Sequence, residues 1–155
     1  MKLFAIIPVY NVAQYLPDFF KSLEEQDYQN ITYVLVNDGS TDESGKLCRE
    51  QVKRDARFHL IEQRNGGVSS ARNAGLDYVE NNSAQGDYTL FFDPDDYLTS
   101  KDAIKLISNE IKENYSDLII YNYAINNTLT INKIKKGGGS QSSNRKYSIS
   151  MDASW

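Results

Sequence analysis

The 155-residue chain has a single cysteine, Cys48, and a single histidine, His59. One cysteine cannot form a disulfide within the chain, which agrees with a reducing compartment, and we expect Cys48 to be a half-buried helix residue. One histidine and one cysteine are too few ligands for a structural zinc site. A serine or cysteine hydrolase would have only His59 as its base, and we expect His59 to be structural.

Long apolar stretches are also missing. The longest runs, Leu3–Pro8 and Tyr88–Phe92, fall far short of the roughly 20 residues that a helix needs to cross a bilayer. Met1–Phe4 enters an apolar segment directly, without the charged leader of a secretory signal. We therefore expect a cytoplasmic location, with only peripheral association at the inner face of the membrane.

An excess of positive charge is absent, since the net charge is −4. This argues against nucleic-acid binding, which usually needs a basic face. An acidic protein still binds a phosphorylated ligand when a metal ion supplies the positive charge. The late basic residues either touch anionic lipid or form a solvated loop, which we favour: Lys133, Lys135, Lys136, Arg145 and Lys146.

Apolar segments of strand length alternate with helical patterns along most of the chain. The predicted strands are Leu3–Val9, Ile31–Asp38, Phe58–Glu62, Tyr88–Phe92, Asp117–Tyr123 and, at a sheet edge, Thr128–Ile134. This alternation predicts an α/β fold with a mostly parallel sheet and helices on both faces. We assign residues 1–134 to one domain and residues 135–155 to a flexible or incomplete tail, because Gly137–Asn144 has linker composition.

The first and third predicted helices show two different packing patterns. Apolar residues at i, i+3, i+4 and i+7 predict that the first helix buries one face: Leu16, Phe19, Phe20 and Leu23. Val68–Val79 is rich in small residues, and Ala71, Ala74 and Gly75 would permit close backbone approach. Thr41 or Asp42 is the predicted cap of the second helix, and Ser100 that of the fourth.

Polar residues follow three of the predicted strands. Right-handed crossovers place the loops after parallel strands along one edge of the sheet, where ligands bind. Asn11 and Asp38 belong there, and so does the acidic turn Asp93–Asp96. Its three carboxylates repel one another unless a cation lies among them, and Mg²⁺ or Mn²⁺ suits such oxygen ligands. The alternative is a turn that caps the next helix, but the apolar strand before it favours a metal site.

Asp38 and Arg72 each leave more than one interpretation open. Asp38 presents a carboxylate to a ribose or base edge, or it braces a turn together with Asp42. The glycine turn before the third helix would bind an anion through backbone N–H groups, and Arg72 would pair with a phosphate, with the acidic turn or with a surface partner. The segment is neither G-x-G-x-x-G nor G-x-x-x-x-G-K-[ST], so a dehydrogenase or a P-loop NTPase gains no support.

Taken in order, four segments resemble the family 2 inverting glycosyltransferases, which have the GT-A (Rossmann-like) fold. These are Ile6–Asn11, Val36–Asp42, Asn65–Gly75 and Phe92–Asp96. The resemblance runs from Lys2 to about Tyr123. It implies the following donor-binding residues: Pro8, Tyr10 and Asp38 around the nucleoside, Asn11 as a further donor-binding residue, Arg72 near the diphosphate, and Asp93 and Asp95 as the DxD motif. Asp95, with Asp93, would hold the divalent metal, and Asp96 and Gly67 would support the site.

The resemblance also implies an activity. A sugar would pass from a nucleoside-diphosphate donor, most often a UDP-sugar, to a saccharide or lipid-linked acceptor with inversion, assisted by Mn²⁺ or Mg²⁺. The general base of the family has no convincing match, since Asp117 and Asp152 are poor candidates. We therefore expect a donor-binding part of a longer, here truncated, protein. A non-catalytic nucleotide-sugar-binding module is the alternative. A nucleotidyltransferase is a weaker one, because no lysine-rich triphosphate loop follows the first strand.

Overall fold

The structure is a computed structural model that describes residues 1–114, 119–122 and 130–133. Strands and helices alternate up to α4. The strands are β1 (Leu3–Val9), β2 (Ile31–Asp38), β3 (Phe58–Gln63), β4 (Tyr88–Phe91), β5 (Ile119–Asn122) and β6 (Thr130–Lys133). The helices are α1 (Leu16–Glu24), α2 (Ser44–Arg54), α3 (Val68–Asn82) and α4 (Ala103–Asn114).

The first four strands form one sheet in the order β3-β2-β1-β4, and every neighbouring pair is parallel. Leu3 of β1 lies opposite Ile31 on one side and Tyr88 on the other, so the three strands start level. Their carboxyl ends consequently meet at one edge. The predicted parallel α/β architecture is confirmed.

Alternate residues of β1 pack on opposite faces of the sheet. Leu3, Ala5 and Ile7 join the cluster that includes side chains of α1, α2 and α4, whereas Phe4 and Ile6 join the cluster under α3. A strand buried on both faces has to be apolar throughout, as β1 is. Helices therefore cover both faces, as predicted.

The packing predicted for α1 and α3 is confirmed. The four apolar side chains of α1 are buried, and Pro17 lies in its first turn, where proline costs no hydrogen bond. On α3, a Cβ added to Gly75 would lie 2.5 Å from Cγ2 of Ile6. The helix backbone lies so close to β1 that only glycine fits there.

The last two strands depart from the expectation. β5 and β6 pair antiparallel in a separate two-stranded sheet instead of extending an edge of the parallel one. Their connection, residues 123–129, is too short for the crossover of a dozen or more residues that a parallel return requires. The predicted tail 135–155 and the two poor base candidates, Asp117 and Asp152, lie outside the described residues.

The caps predicted for α2 and α4 lie one or two residues before the N-cap positions that the helix starts define. α2 begins at Ser44 with Glu43 as its N-cap residue, although Oδ1 of Asp42 accepts a 2.9 Å hydrogen bond from the Ser44 N–H. α4 begins at Ala103 rather than directly after Ser100. Side-chain caps compete with other hydrogen bonds, which a local pattern does not reveal.

Cys48 is fully buried rather than half-buried, and burial raises the pKa of its thiol to about 12. His59 is partly buried and stacks on the ring of Tyr78 with 4.1 Å between the ring centroids, as a structural residue would. Within the described part of the chain, none of the helices has the length and apolar character that a membrane crossing requires.

Candidate functional site

A cavity of about 470 Å³ opens at the carboxyl ends of β1, β2 and β4, beside the start of α3. Its volume falls in the range of about 300–1,000 Å³ that is usual for small-molecule sites. Seven of the residues predicted from sequence line it: Pro8, Tyr10, Asp38, Gly67, Arg72, Asp93 and Asp95. Two do not line it: Asn11 and Asp96. The topology thus gathers side chains from four separate segments of the chain at one place.

Asp38 ends β2 and is 2% exposed. Its Oδ1 accepts hydrogen bonds from Nε2 of Gln63 (2.7 Å) and the Gly66 N–H (2.9 Å), and its Oδ2 accepts one from the Gly67 N–H (2.8 Å). Burial alone would raise the pKa of this carboxyl, but the three hydrogen bonds outweigh it and hold the pKa below its usual value. Asp38 therefore braces the turn after β3 as an anion, and Oδ2 keeps one acceptor direction.

The glycine turn is shaped by that carboxylate. Gly67 is the N-cap residue of α3 with φ 86°, in the region that favours glycine. Because the N–H groups of Gly66 and Gly67 both donate to Asp38, they are engaged inside the protein and do not point to a ligand. An anion in the cavity would therefore meet other groups of this segment, such as Asn65 or the first turn of α3.

Arg72 of α3 reaches the acidic turn. Its Nη2 donates a 2.9 Å hydrogen bond to Oδ1 of Asp93, and the two side chains are 38% and 51% exposed. Nε of Arg72 is buried without a hydrogen-bond partner. Of the partners left open by the sequence, the acidic turn is therefore the one that Arg72 contacts.

Asp95 and Asp96 point to different sides of the turn. Asp95 is exposed and lines the main cavity as well as a neighbouring one of about 270 Å³, whereas Asp96 lines only the smaller cavity. Burial raises the pKa of Asp96 above its usual value, and the charges of Asp95 and Asp93 raise it further. The three acids are thus not equivalent.

The carboxylates of the acidic turn could supply only part of the ligand set of a metal ion. Among the described residues, no group of three His, Cys, Asp or Glu side chains could enclose an ion. Mg²⁺ in substrate complexes is usually held by one or two carboxylates together with phosphate oxygens and waters. Asp93 and Asp95, which line the same cavity, suit a metal of that kind and do not suit a closed protein cage.

Asn11 follows the cavity residue Tyr10, but its side chain contacts the loop after β2 instead of the cavity. Its Oδ1 accepts hydrogen bonds from the Thr41 and Asp42 N–H groups, at 2.8 and 3.3 Å. Tyr10 itself stays 47% exposed. The neighbouring positions thus present one side chain to the cavity and one to the protein.

Several residues of the site were missed by sequence reasoning. Asn65 and Val68 line the cavity, and both belong to the segment that carried the resemblance, which was the available signal. Gln63 ends β3 and holds Asp38, but nothing in its local sequence indicates this contact.

The model of glycosyl transferase family 2 matches residues 4–150, nearly the whole chain. The chain belongs to glycosyl transferase family 2. The resemblance inferred from the four segments is confirmed.

Relatives and solved structures agree with this membership. Glycosyltransferase GlyA of Streptococcus pneumoniae is 43% identical over 122 residues, which is 79% of this chain and 17% of that protein. The uncharacterized glycosyltransferase EpsJ of Bacillus subtilis is 40% identical over 114 residues, or 74% of this chain and 31% of that protein. A crystal structure of S. aureus TarS 1-349 in complex with UDP superposes with a TM-score of 0.65 at 30% identity, covering 76% of this chain and 34% of that one.

This family 2 chain therefore has the GT-A fold of TarS. It spans less than a third of the length of the two relatives named above.

Proposed function

We propose that the chain is the donor-binding part of an inverting, metal-assisted glycosyltransferase that uses a UDP-sugar. The observation that carries this proposal is the cavity, which brings Tyr10, Asp38, Arg72, Asp93 and Asp95 together. Support comes from the fold shared with TarS, whose 1-349 fragment has been crystallised with UDP and with UDP-GlcNAc.

The nucleoside lies between β1 and β2 in this proposal. Tyr10 offers an exposed ring on which a base stacks, and Pro8 adds apolar surface beside it. The free acceptor direction on Oδ2 of Asp38 takes an N–H of the base, as uracil provides. Since the other acceptor directions of Asp38 are held by the protein, the carboxylate is already oriented before the ligand arrives.

The diphosphate lies against α3 and the acidic turn. Arg72 pairs with phosphate oxygens, for which its planar guanidinium is well suited. Asp93 and Asp95 would hold Mn²⁺ or Mg²⁺ against the diphosphate, with Asp93 also close to the ribose. The metal, when bound, acts as a Lewis acid that neutralises charge on the leaving nucleoside diphosphate. Asp96 and Gly67 support this arrangement, Gly67 by letting the backbone turn into α3.

Transfer itself needs more than these residues. An acceptor hydroxyl, from a saccharide or a lipid-linked glycan, attacks the anomeric carbon from the face opposite the diphosphate while a general base removes its proton. No described residue is assigned as this base. We propose a hexosyl- or N-acetylhexosaminyltransferase of polysaccharide biosynthesis, with acceptor recognition in parts of the whole protein beyond the cavity.

Calorimetric titration of UDP tests the proposal. Binding should require Mn²⁺, disappear with EDTA and weaken at least tenfold in Asp95→Asn. Asp77→Asn, the same charge change at an exposed position on α3 outside the cavity, is the matched control and should bind as the wild type does. Absence of UDP binding under every condition would contradict the proposal.

A further inference from the structure

Asn11 has an unusual backbone conformation for its position in the site. Among the described residues, it is the only non-glycine with a positive φ, 52°. Asparagine tolerates this left-handed region better than most residues, because its short side chain forms local hydrogen bonds. The chain thus turns sharply one residue after Tyr10, which lines the cavity.

The side chain of Asn11 joins the loop after β1 to the loop after β2. Its Oδ1 accepts hydrogen bonds from the Thr41 N–H (2.8 Å), the Thr41 hydroxyl (3.3 Å) and the Asp42 N–H (3.3 Å). The Asn11 N–H in turn donates to Oγ of Ser40 at 3.1 Å. A single residue thus makes four of the contacts between these loops.

The hydrogen bonds between the loop after β1 and the loop after β2 form a seam. Two neighbouring backbone groups add to it. The Val12 N–H donates to Oγ of Ser44 at 3.0 Å, and the Ala13 N–H donates to Oδ2 of Asp42 at 3.1 Å. The first loop carries Tyr10, and the second follows directly on Asp38. Hydrogen bonds along the seam therefore join the loop that carries Tyr10 to the loop that follows Asp38.

We propose that Asn11 is a positioning residue for donor binding. It locks the loop after β1 to the loop after β2, so that Tyr10 and Asp38 keep the spacing that a nucleoside requires. It acts through these neighbours and does not touch the donor. This inference rests on the proposed donor site, and it replaces the sequence-based expectation that Asn11 contacts the donor.

Three substitutions of Asn11 separate the effect of its side-chain hydrogen bonds from the effect of its backbone conformation. Asn11→Gly accepts the positive φ without strain but has no side-chain acceptor, and its affinity for UDP with Mn²⁺ should fall about tenfold. Asn11→Ala loses the acceptor and strains the backbone. It should bind UDP no more tightly than Asn11→Gly and unfold at a lower temperature than the wild type. Asn11→Asp keeps an acceptor oxygen and should bind within about threefold of wild type at raised ionic strength, which screens its added charge.

A matched control lies at the opposite end of the sheet. Asn30 is also exposed and also ties the start of β1 to a neighbouring segment, because its Nδ2 donates to the Met1 carbonyl at 2.8 Å. Asn30→Ala should lower the unfolding temperature and leave UDP affinity unchanged. A purely structural role for Asn11 would give the same pattern, so the affinity change is the readout that decides.

The outcomes distinguish the inference from the proposed function. Unchanged affinity in Asn11→Gly would overturn the positioning role, with the donor site left intact. Equal losses in Asn11→Asp and Asn11→Gly would overturn it too, because the amide nitrogen would then be the group that matters. Failure of the wild-type chain to bind UDP would instead overturn the donor site itself.

Discussion

Arg72 on α3 and Asp93 in the turn after β4 form an ion pair at the cavity, with Nη2 of Arg72 2.9 Å from Oδ1 of Asp93. The side chain proposed to bind the diphosphate thus pairs with one of the two carboxylates proposed to hold the metal. A bound diphosphate would compete with Asp93 for the guanidinium. Donor binding should therefore loosen this pair and free the Asp93 carboxylate for the metal.

Replacing Arg72 should affect binding more than folding. Arg72→Ala should weaken UDP binding by about 10- to 100-fold, the range expected for lost hydrogen bonds to a charged group. The free energy of unfolding should change by less than about 1 kcal/mol, because both side chains of the ion pair are well exposed. Calorimetric titration and urea unfolding measure the two quantities.

Arg49→Ala provides the matched control for this prediction. Arg49 forms a similarly exposed ion pair with Glu62, at 2.6 Å, outside the cavity. Its removal should leave UDP affinity unchanged. Equal weakening by both substitutions would mean that net charge, rather than the position of Arg72, governs binding.

The buried carboxylate of Asp38 should matter for stability even without a donor. Asp38→Asn keeps the shape of the side chain but turns an NH₂ group towards donors that now bond to the carboxylate. We expect the free energy of unfolding to fall by about 1–3 kcal/mol, as for a buried polar group left unpaired. If urea unfolding showed a decrease of less than about 0.5 kcal/mol in the free energy of unfolding, Asp38 would not brace the turn as described.

The same substitution has a predictable pH dependence. Hydrogen bonds hold the pKa of folded Asp38 below its usual value despite burial, so the carboxylate contributes stability above the usual carboxyl pKa of about 4. That contribution is lost as the pH falls through the lower, folded-state pKa. The stability difference between wild type and Asp38→Asn should thus be largest near neutral pH and shrink in acid. A difference that grows in acid would contradict the assignment.

The close contact between α3 and β1 leaves no room for a side chain at Gly75. Gly75→Ala should destabilise the protein by about 1–3 kcal/mol, because its Cβ would lie 2.5 Å from Cγ2 of Ile6. This cost outweighs the helix propensity of alanine, which favours it over glycine by about 1 kcal/mol. Asn73→Ala, exposed on the same helix, should be neutral or slightly stabilising. Thermal unfolding of both variants checks the contrast, and a stabilised Gly75→Ala would refute it.

Much of the fold follows from local sequence. β1 is a continuous apolar segment and β2 is apolar over most of its length, as strands of a sheet covered on both faces should be, and the bounds of both were predicted without error. The periodicity of α1 and the small residues of α3 indicated which helix faces would pack. The predictions were inaccurate for the caps of α2 and α4, and they were wrong for the pairing of β5 with β6.

Sequence by itself also identified which residues gather at the carboxyl edge, because parallel strands with right-handed crossovers bring the loops after them together. Only the tertiary structure decided what each side chain does there. Asp38 holds the glycine turn, Asn11 holds the loop after β2, and Arg72 holds Asp93. These partners lie 21 to 31 residues away along the chain, so the choice of partner depends on strand register and helix placement. Those are set by the packing of the whole sheet, and no local pattern encodes them.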